Sequence, residues 1–180
     1  MSDRMTKLAA AFLFIFCVFL ISPATAADNE AEMSKLIESH VLQAFGEKTN
    51  WDSPVATFDR VEMFDMYDNN AKVIGVQANI YVNMNDNLTV AMTRETGLRN
   101  MWDLFKAIYA DERLSDVNQA DIIATMMFRD KQGNKSASKA MQARISRATA
   151  KSIDWGGTNV ADYEQVFRKV GNLFIHQAIR

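Results

Sequence analysis

Cysteine is nearly absent from this chain of 180 residues. The single cysteine, Cys17, lies in an apolar run near the amino terminus, and residues 27–180 contain none. Residues 27–180 therefore have neither the disulfides on which many small secreted domains rely nor a cysteine nucleophile. We expect them to form one domain that is held together by its hydrophobic core, since a chain of this length buries most of its apolar surface.

The apolar run near the amino terminus is too short to span a membrane. It covers fourteen residues, 8–21, whereas a membrane-spanning helix needs roughly 20. Arg4 and Lys7 precede it and small residues lead to Ala26, which is the pattern of a secretory signal peptide. We predict a signal peptide at residues 1–26 that is cleaved after Ala26, a periplasmic or secreted location in a bacterium, and no stable membrane anchor after cleavage.

Histidine is almost as rare as cysteine, with His40 and His176 as the only two. Nucleophilic hydrolases place a histidine base beside the nucleophile, and transition-metal sites cluster histidine and cysteine at short spacings. Neither histidine has an obvious partner in its neighbourhood, and no P-loop or GxGxxG pattern occurs. We therefore predict no catalytic residue, no cofactor and no metal site, and we interpret the chain as a non-enzyme while leaving the question of activity open.

Runs of lysine or arginine are absent as well. Without the predicted signal peptide the chain has 18 basic and 21 acidic residues, a balance of about −3, so the sequence indicates no nucleic-acid partner. Nine methionines remain, and thioethers bind reduced copper. These methionines follow predicted strand and helix periods, however, which indicates core packing. The acidic and amide residues of two predicted turns lack the spacing of an EF-hand, so they are interpreted as turn residues rather than calcium ligands.

Hydrophobic spacing alternates between the helical and the strand period along the chain. Helical spacing is found at residues 30–45, from Thr93 onward, at residues 147–153 and at residues 159–177. Strand spacing is found at residues 56–67, 72–82, 88–92, 120–129 and 141–145. We predict an α+β fold over residues 27–180, in which an antiparallel β-sheet of about five strands packs against amino-terminal, central and carboxy-terminal helices. The order of elements suggests two hairpin–helix units.

Two stretches of the sequence resemble each other. Residues 93–102 read TRETGLRNMW and residues 146–155 read SRATAKSIDW. Each follows a predicted hairpin, so Thr93 and Ser146 are predicted to cap helices, and the tryptophan that ends each stretch is predicted to pin its helix onto the sheet. Internal duplication, one local problem solved twice and chance are the open explanations. Arg94 and Arg147 are the residues that a structural role explains least.

We hypothesise that the protein is an exported, non-enzymatic binding module that acts through a protein partner in the periplasm, as an inhibitor, immunity protein or secretion accessory does. Exposed aromatic residues on the strands support this hypothesis, because aromatic residues are enriched at interfaces. The candidate binding residues are Arg94, Arg147, Tyr67, Tyr81, Trp102 and Trp155. The alternative is a small-molecule carrier or weak hydrolase with an apolar cleft between sheet and helices, lined by Trp102, Phe105, Met126, Phe167 and Phe174.

Overall fold

The computed structural model describes the backbone of residues 26–180 and the side chains from residue 28 onward. Residues 1–25 of the predicted signal peptide, Cys17 among them, lie outside the described residues. Contacts between Cα atoms divide the chain into a unit Met1–Glu32 and a unit Met33–Arg180. The described part of the first unit is the start of helix α1. The rest of this helix, the strands and the later helices belong to the second unit.

The described residues form helices between which the strands come in two consecutive pairs, followed by a last single strand. Short 3-10 helices lie at Glu112–Leu114, Val160–Asp162 and Gln177–Ile179. The longer elements are α1 (Ala26–Phe45), β1 (Phe58–Tyr67), β2 (Val73–Asn83), α2 (Val90–Ala110), β3 (Val117–Arg129), β4 (Lys135–Ser146), α3 (Arg147–Ala150), α4 (Tyr163–Val170) and β5 (Asn172–Ile175). The predicted α+β fold with five strands is confirmed. In the described part of the chain, none of the helices combines the length and the apolar character that crossing a membrane requires.

The five strands form one sheet in the order β1-β2-β3-β4-β5. Three neighbouring pairs are antiparallel, as predicted, but β2 and β3 pair in parallel, so the sheet is mixed. The reason is the crossover through α2. This helix of 21 residues is about 31 Å long, which matches the length of β2 and returns the chain to the end of the sheet where β2 began.

Both hairpins close with the same turn. In the first, the side chain of Asp68 accepts hydrogen bonds from the backbone amides of Asn70 and Lys72, at 2.8 and 2.9 Å. In the second, Asp130 accepts from the amides two and four residues further on, at 2.9 and 2.8 Å. An aspartate at this position fixes the turn because its side chain replaces a backbone acceptor. The predicted hairpin–helix order is thus present twice, as β1-β2-α2 and as β3-β4-α3.

The strand predicted at residues 88–92 does not form. Leu88 is 94% exposed, and the helix α2 begins two residues later. The hydroxyl of Thr89 caps this helix by accepting from the amide of Met92 at 3.2 Å. Thr93, the predicted cap, is buried inside the helix and accepts from the amide of Asn87 instead. Alternating apolar residues therefore gave a false strand signal where the helix cap governs the backbone.

The predicted carboxy-terminal helix is interrupted at Gly171. Helix α4 ends there, and the chain continues as β5, which pairs with β4. Gly171 closely approaches the backbone of β4, because a Cβ at this position would overlap the carbonyl oxygen of Arg144. The close approach lets β5 join the sheet, and that pairing overrides the helical spacing of the sequence.

The helices cover one face of the sheet and enclose the core there. Ala78, Ile80 and Val82 of β2 point toward the helices and are buried. Alternate residues of β3 and β4 are buried on the same face. The largest fully buried side chains are Trp102, Phe105, Phe167, Ile37, Ile80, Met84, Met101, Leu104, Ile108, Leu114, Ile122 and Met141. The predicted use of methionine as core filling is therefore seen at three of these positions.

We expect Gly171→Ala to lower the free energy of unfolding by about 1–3 kcal/mol, because the added methyl group has no room beside Arg144. Urea denaturation of the purified protein measures the effect. Gly156→Ala is the matched control, since a Cβ there meets no atom within 4 Å and the change is expected to stay within about 0.5 kcal/mol. Equal effects of the two substitutions would contradict the role of Gly171.

Candidate functional site

The two similar stretches meet in the folded protein through their tryptophans. The ring centroids of Trp102 and Trp155 lie 4.7 Å apart, and the indole nitrogen of Trp102 donates to the carbonyl of Trp155 at 3.4 Å. Trp102 is 1% exposed and also stacks on Tyr163, with centroids 4.2 Å apart. Its surroundings give Trp102 a packing role, and no surface remains for a partner.

Arg147 is fixed by three backbone carbonyl groups. Its guanidinium donates to the carbonyl oxygens of Val117 at 3.0 Å, Tyr109 at 3.2 Å and Leu114 at 2.5 Å. These three carbonyls belong to the end of α2, the following 3-10 helix and the start of β3. The side chain therefore ties the crossover connection to the beginning of α3, which is a structural role that the sequence did not reveal.

Tyr109 supports the same region from inside. Its hydroxyl donates to the carbonyl of Ile145 on β4 and accepts from the amide of Ala120 on β3 at 3.0 Å. Burial raises the pKa of Tyr109 to about 12. The hydroxyl thus satisfies one backbone donor and one backbone acceptor of adjacent strands, and the guanidinium of Arg147 lies 5.0 Å from the ring centroid.

Arg94 lies far from Arg147. It pairs with Glu164 of α4 at 3.8 Å and is partly exposed. Fifteen residues of α2 separate Arg94 from Tyr109, which corresponds to about 22 Å along the helix. Arg94 therefore lies near the start of α2, whereas Arg147 contacts the end of α2, and the two arginines form no common site.

Arg147 and Trp155 do line one groove, between α2 and α3. This groove has a volume of about 330 Å³, and we call it the basic groove. Its lining residues are Lys106, Tyr109, Ala110, Arg147, Ala150, Lys151, Ile153 and Trp155. Two of the six predicted binding residues are thus brought together on a shared surface.

The other face of the sheet is a second candidate surface. Within residues 28–180 no helix covers it, and most of its side chains are partly exposed. We call it the open face. Its side chains, assigned from the strand register, include Arg60, Glu62, Phe64, Gln77, Asn79, Tyr81, Gln119, Asp121, Ile123, Gln142, Arg144, Asn172 and Phe174.

A buried carboxylate lies at the centre of the open face. Asp121 is 1% exposed, and both of its oxygens accept from Gln142, at 3.0 and 2.9 Å. Arg144 adds two donors to one of these oxygens, at 3.1 and 2.7 Å. A buried charge is tolerated when it is paired and fully hydrogen-bonded, as it is here. The pair fixes the position of the partly exposed arginine.

Predicted residue Tyr81 lies on the open face, in a second fixed cluster. Its hydroxyl donates to Glu62 at 2.9 Å, and the guanidinium of Arg60 lies 3.7 Å from its ring centroid. The hydrogen bond to Glu62 raises the pKa of Tyr81. Tyr67 lies at the far end of β1, where its hydroxyl is 3.2 Å from Asp65, and the structure does not bring it to Tyr81.

The edge of the open face forms a further groove beside β5. Its volume is about 500 Å³, and we call it the edge groove. It is lined by Gln142, Arg144, Arg168, Gly171, Asn172, Leu173 and Phe174. Arg168 is held by Glu164 at 3.0 and 2.7 Å, and Lys139 lies over the ring of Phe174 at 4.8 Å. Arginine, amide and aromatic side chains thus meet in one place.

Sequence reasoning missed this set of polar residues on the open face. The sequence assigned no role to Asp121, Gln142 or Arg144. The available signal was the period-two spacing of Gln142 and Arg144, which places both on one face of β4. Nothing in the sequence of β4 alone pairs them with a residue of β3, because that pairing depends on the register between the strands.

The apolar cleft predicted between sheet and helices does not form from its predicted residues. Trp102, Phe105, Met126 and Phe167 are buried members of the core, and Phe174 lies on the open face. The reason is that the helices pack directly on the sheet and leave no space there. In the described part of the chain, no group of three or more histidine, cysteine, aspartate or glutamate side chains has the arrangement of a metal site.

His40, for which the sequence offered no obvious partner, joins α1 to Asp111, the residue after α2, through a hydrogen bond. Its Nε2 atom lies 3.0 Å from Oδ2 of Asp111. Each of the two carboxylate oxygens of Asp111 also accepts one side-chain hydrogen bond from Arg113, at 2.9 and 2.7 Å. The hydrogen bonds from Arg113 and from His40 hold the pKa of Asp111 well below its usual range. The buried Nδ1 atom of His40 has no hydrogen-bond partner among the described residues.

No protein-family model matches the chain, and neither a curated protein nor a solved structure is detectably similar to it.

We expect Tyr109→Phe to lower the free energy of unfolding by about 1–3 kcal/mol, because the amide of Ala120 and the carbonyl of Ile145 lose a shared partner. Tyr67→Phe is the matched control, since its hydroxyl is exposed, and it is expected to change stability by less than about 0.5 kcal/mol. Urea denaturation of both variants measures the difference, and a loss of equal size in both would refute the bridging role of Tyr109.

We expect Asp111→Asn to destabilise the protein at pH 7, with a loss that shrinks as the pH falls below about 4. A carboxyl group whose pKa is lower in the folded than in the unfolded state stabilises the fold above its unfolded pKa of about 3.9, and this contribution disappears at lower pH. Thermal unfolding from pH 3 to pH 7 measures it. Asp103→Asn, at an exposed position of α2, is the control, and a loss independent of pH would contradict the expectation.

Proposed function

We propose that the chain is an exported, non-enzymatic binding module that docks a protein partner on the open face of its sheet. The observation that carries this proposal is the five-stranded sheet itself, one face of which is uncovered within the described residues while the other packs against the helices. Export is proposed from the signal-peptide pattern of residues 1–26.

The composition of the open face resembles that of an interface core. Aromatic residues and arginine are enriched at protein interfaces, and Phe64, Tyr81, Phe174, Arg60 and Arg144 supply both types here. Phe64 and Phe174 are partly exposed and lie on the two opposite edge strands of the sheet, β1 and β5. A partner that contacts both therefore covers the full width of the open face.

The arginines of the open face are already held in place before any partner binds. Arg144 is fixed by Asp121, and Arg60 is fixed by Glu62 at 2.8 Å and by the ring of Tyr81. Side chains that are ordered in advance lose less conformational entropy on association. This order favours binding of a partner over a merely solvated surface.

The edge groove indicates the charge of the partner. Arg144 and Arg168 each use one edge of the guanidinium for an internal carboxylate, and a guanidinium carries five N–H donors in all. The remaining donors, together with the amide of Asn172, suit a carboxylate from outside. We therefore propose a partner that places an acidic side chain in the edge groove.

We expect Phe64→Asp and Phe174→Asp to weaken partner binding at least tenfold, because each puts a charge where the partner's apolar surface would lie. A photo-crosslinking amino acid at position 64 or 174, introduced in the native host, identifies the partner as a covalent adduct. Leu88 is the matched control, since it is apolar, 94% exposed and outside the open face. Adducts of the same protein at position 88, or none at positions 64 and 174, would contradict the proposal.

Charge reversal tests the edge groove with a matched pair of arginines. Arg168 of α4 and Arg99 of α2 are both exposed side chains that pair with the glutamate four residues earlier, at 2.7 and 3.1 Å. Only Arg168 lines the edge groove. Arg168→Glu is expected to weaken binding of the crosslinked partner, while Arg99→Glu leaves it unchanged. If both substitutions have the same effect, the edge groove does not receive the partner's carboxylate.

A further inference from the structure

The basic groove between α2 and α3 is separate from the open face and has the features of a small-molecule site. Its volume of about 330 Å³ lies at the lower end of the range of ligand pockets, which limits the occupant to a small molecule or a chain end. Ala110, Ala150, Ile153 and the ring of Trp155 give it an apolar floor.

The aromatic side chains of the groove present apolar surface because their polar atoms are used internally. The indole nitrogen of Trp155 donates to the carbonyl of Ala150 at 3.0 Å, and the hydroxyl of Tyr109 is shared between two strands. Trp155 is also packed against Trp102. The floor is therefore both apolar and rigid.

The lining contains three basic residues and no acidic one. Lys106 and Lys151 are exposed, and neither forms an ion pair within residues 28–180. The guanidinium of Arg147 faces carbonyl groups rather than a carboxylate. This concentration of unneutralised positive charge stands out in a chain whose formal net charge is −2.

Arg147 also keeps unused hydrogen-bond donors. A guanidinium has five N–H groups, and three of them donate to the carbonyls that fix the side chain. Two donors are thus left on a group that lines the groove and is held in a set orientation. A carboxylate is the acceptor that matches a guanidinium best.

From these observations we infer that the basic groove binds a small carboxylate with an apolar body, such as an aromatic acid. The carboxylate accepts hydrogen bonds from the free N–H groups of Arg147, and the apolar body packs on Trp155 and Ile153. The ammonium groups of Lys106 and Lys151 flank the carboxylate and neutralise its charge. This site is independent of the proposed docking on the open face, so either can fail without the other.

Titration of the purified protein with 2-naphthoate tests the inference, with 2-naphthalenemethanol as the uncharged compound of the same shape. We expect 2-naphthoate to bind with a submillimolar dissociation constant by calorimetry and to shift the indole N–H resonance of Trp155 in NMR spectra. The alcohol is expected to bind at least tenfold more weakly. Equal binding of acid and alcohol, or no binding of the acid, would overturn the inference.

Substitution of the lysines locates the site without disturbing the fold. The double variant Lys106→Gln, Lys151→Gln is expected to lower the affinity for 2-naphthoate about tenfold, because it removes two charges from the rim. The control is Lys131→Gln, Lys169→Gln, which removes two exposed charges elsewhere and is expected to leave the affinity unchanged. An equal loss in both variants would mean that the acid responds to net charge alone, and it would refute the groove as the site.

The source of the carboxylate is distinguished by a peptide arm of the same experiment. Acetyl-Gly-Gly-Phe with a free carboxylate is compared with its amide and with 2-naphthoate. Tighter binding of the acid peptide supports a polypeptide chain end as the natural occupant, and tighter binding of 2-naphthoate supports a free small molecule. Binding of the peptide amide as tightly as the acid would overturn the assignment of the groove to carboxylates.

Discussion

The parallel pairing of β2 with β3 is the constraint on which the rest of the structure depends. It joins two hairpins, each closed by its own turn, into one sheet. It also sets Asn79 beside Asp121 across the junction, so that the polar residues of the open face form a continuous surface. Without this pairing each hairpin would have an exposed long edge and no shared core.

Arg147 and Tyr109 secure the crossover that the parallel pair requires. A connection that leaves a helix and re-enters the sheet exposes carbonyls that have no partner within either element. The guanidinium of Arg147 satisfies three of these groups, and the hydroxyl of Tyr109 serves the strands beside them. Arg147, for which the sequence suggested no structural role, thus holds the junction, and it also lines the basic groove.

Local signals in the sequence predicted the elements well where they rest on nearby residues. The helical spacing at residues 30–45 and the strand spacing at residues 56–67 and 72–82 correspond to α1, β1 and β2 of the structure. The errors at residues 88–92 and at β5 arose because an apolar period is read from one segment alone, whereas a strand needs a partner. The segment around Leu88 has the spacing of a strand but no strand to pair with. The segment of β5 has the spacing of a helix, yet it pairs with β4.

The candidate surfaces show the same division. The sequence singled out Trp102 and Trp155 one by one, as the ends of two similar stretches, whereas the contact between their rings is seen only in the fold. The cluster of Asp121, Gln142 and Arg144 depends on strand register, and the edge groove depends on where Gly171 directs the chain. Such contacts between distant residues are set by packing energies that a linear pattern does not contain.

The two locally closed hairpins also shape how the chain reaches its fold. Each aspartate turn brings neighbouring strands together over a few residues, so both hairpins have low contact order and assemble early at little entropic cost. The parallel pair instead joins Val76 to Val117, across the whole of α2. We therefore expect the closing of that long loop to be the slow step of folding, and until it closes we expect the inner edges of β2 and β3 to be open to pairing with other chains.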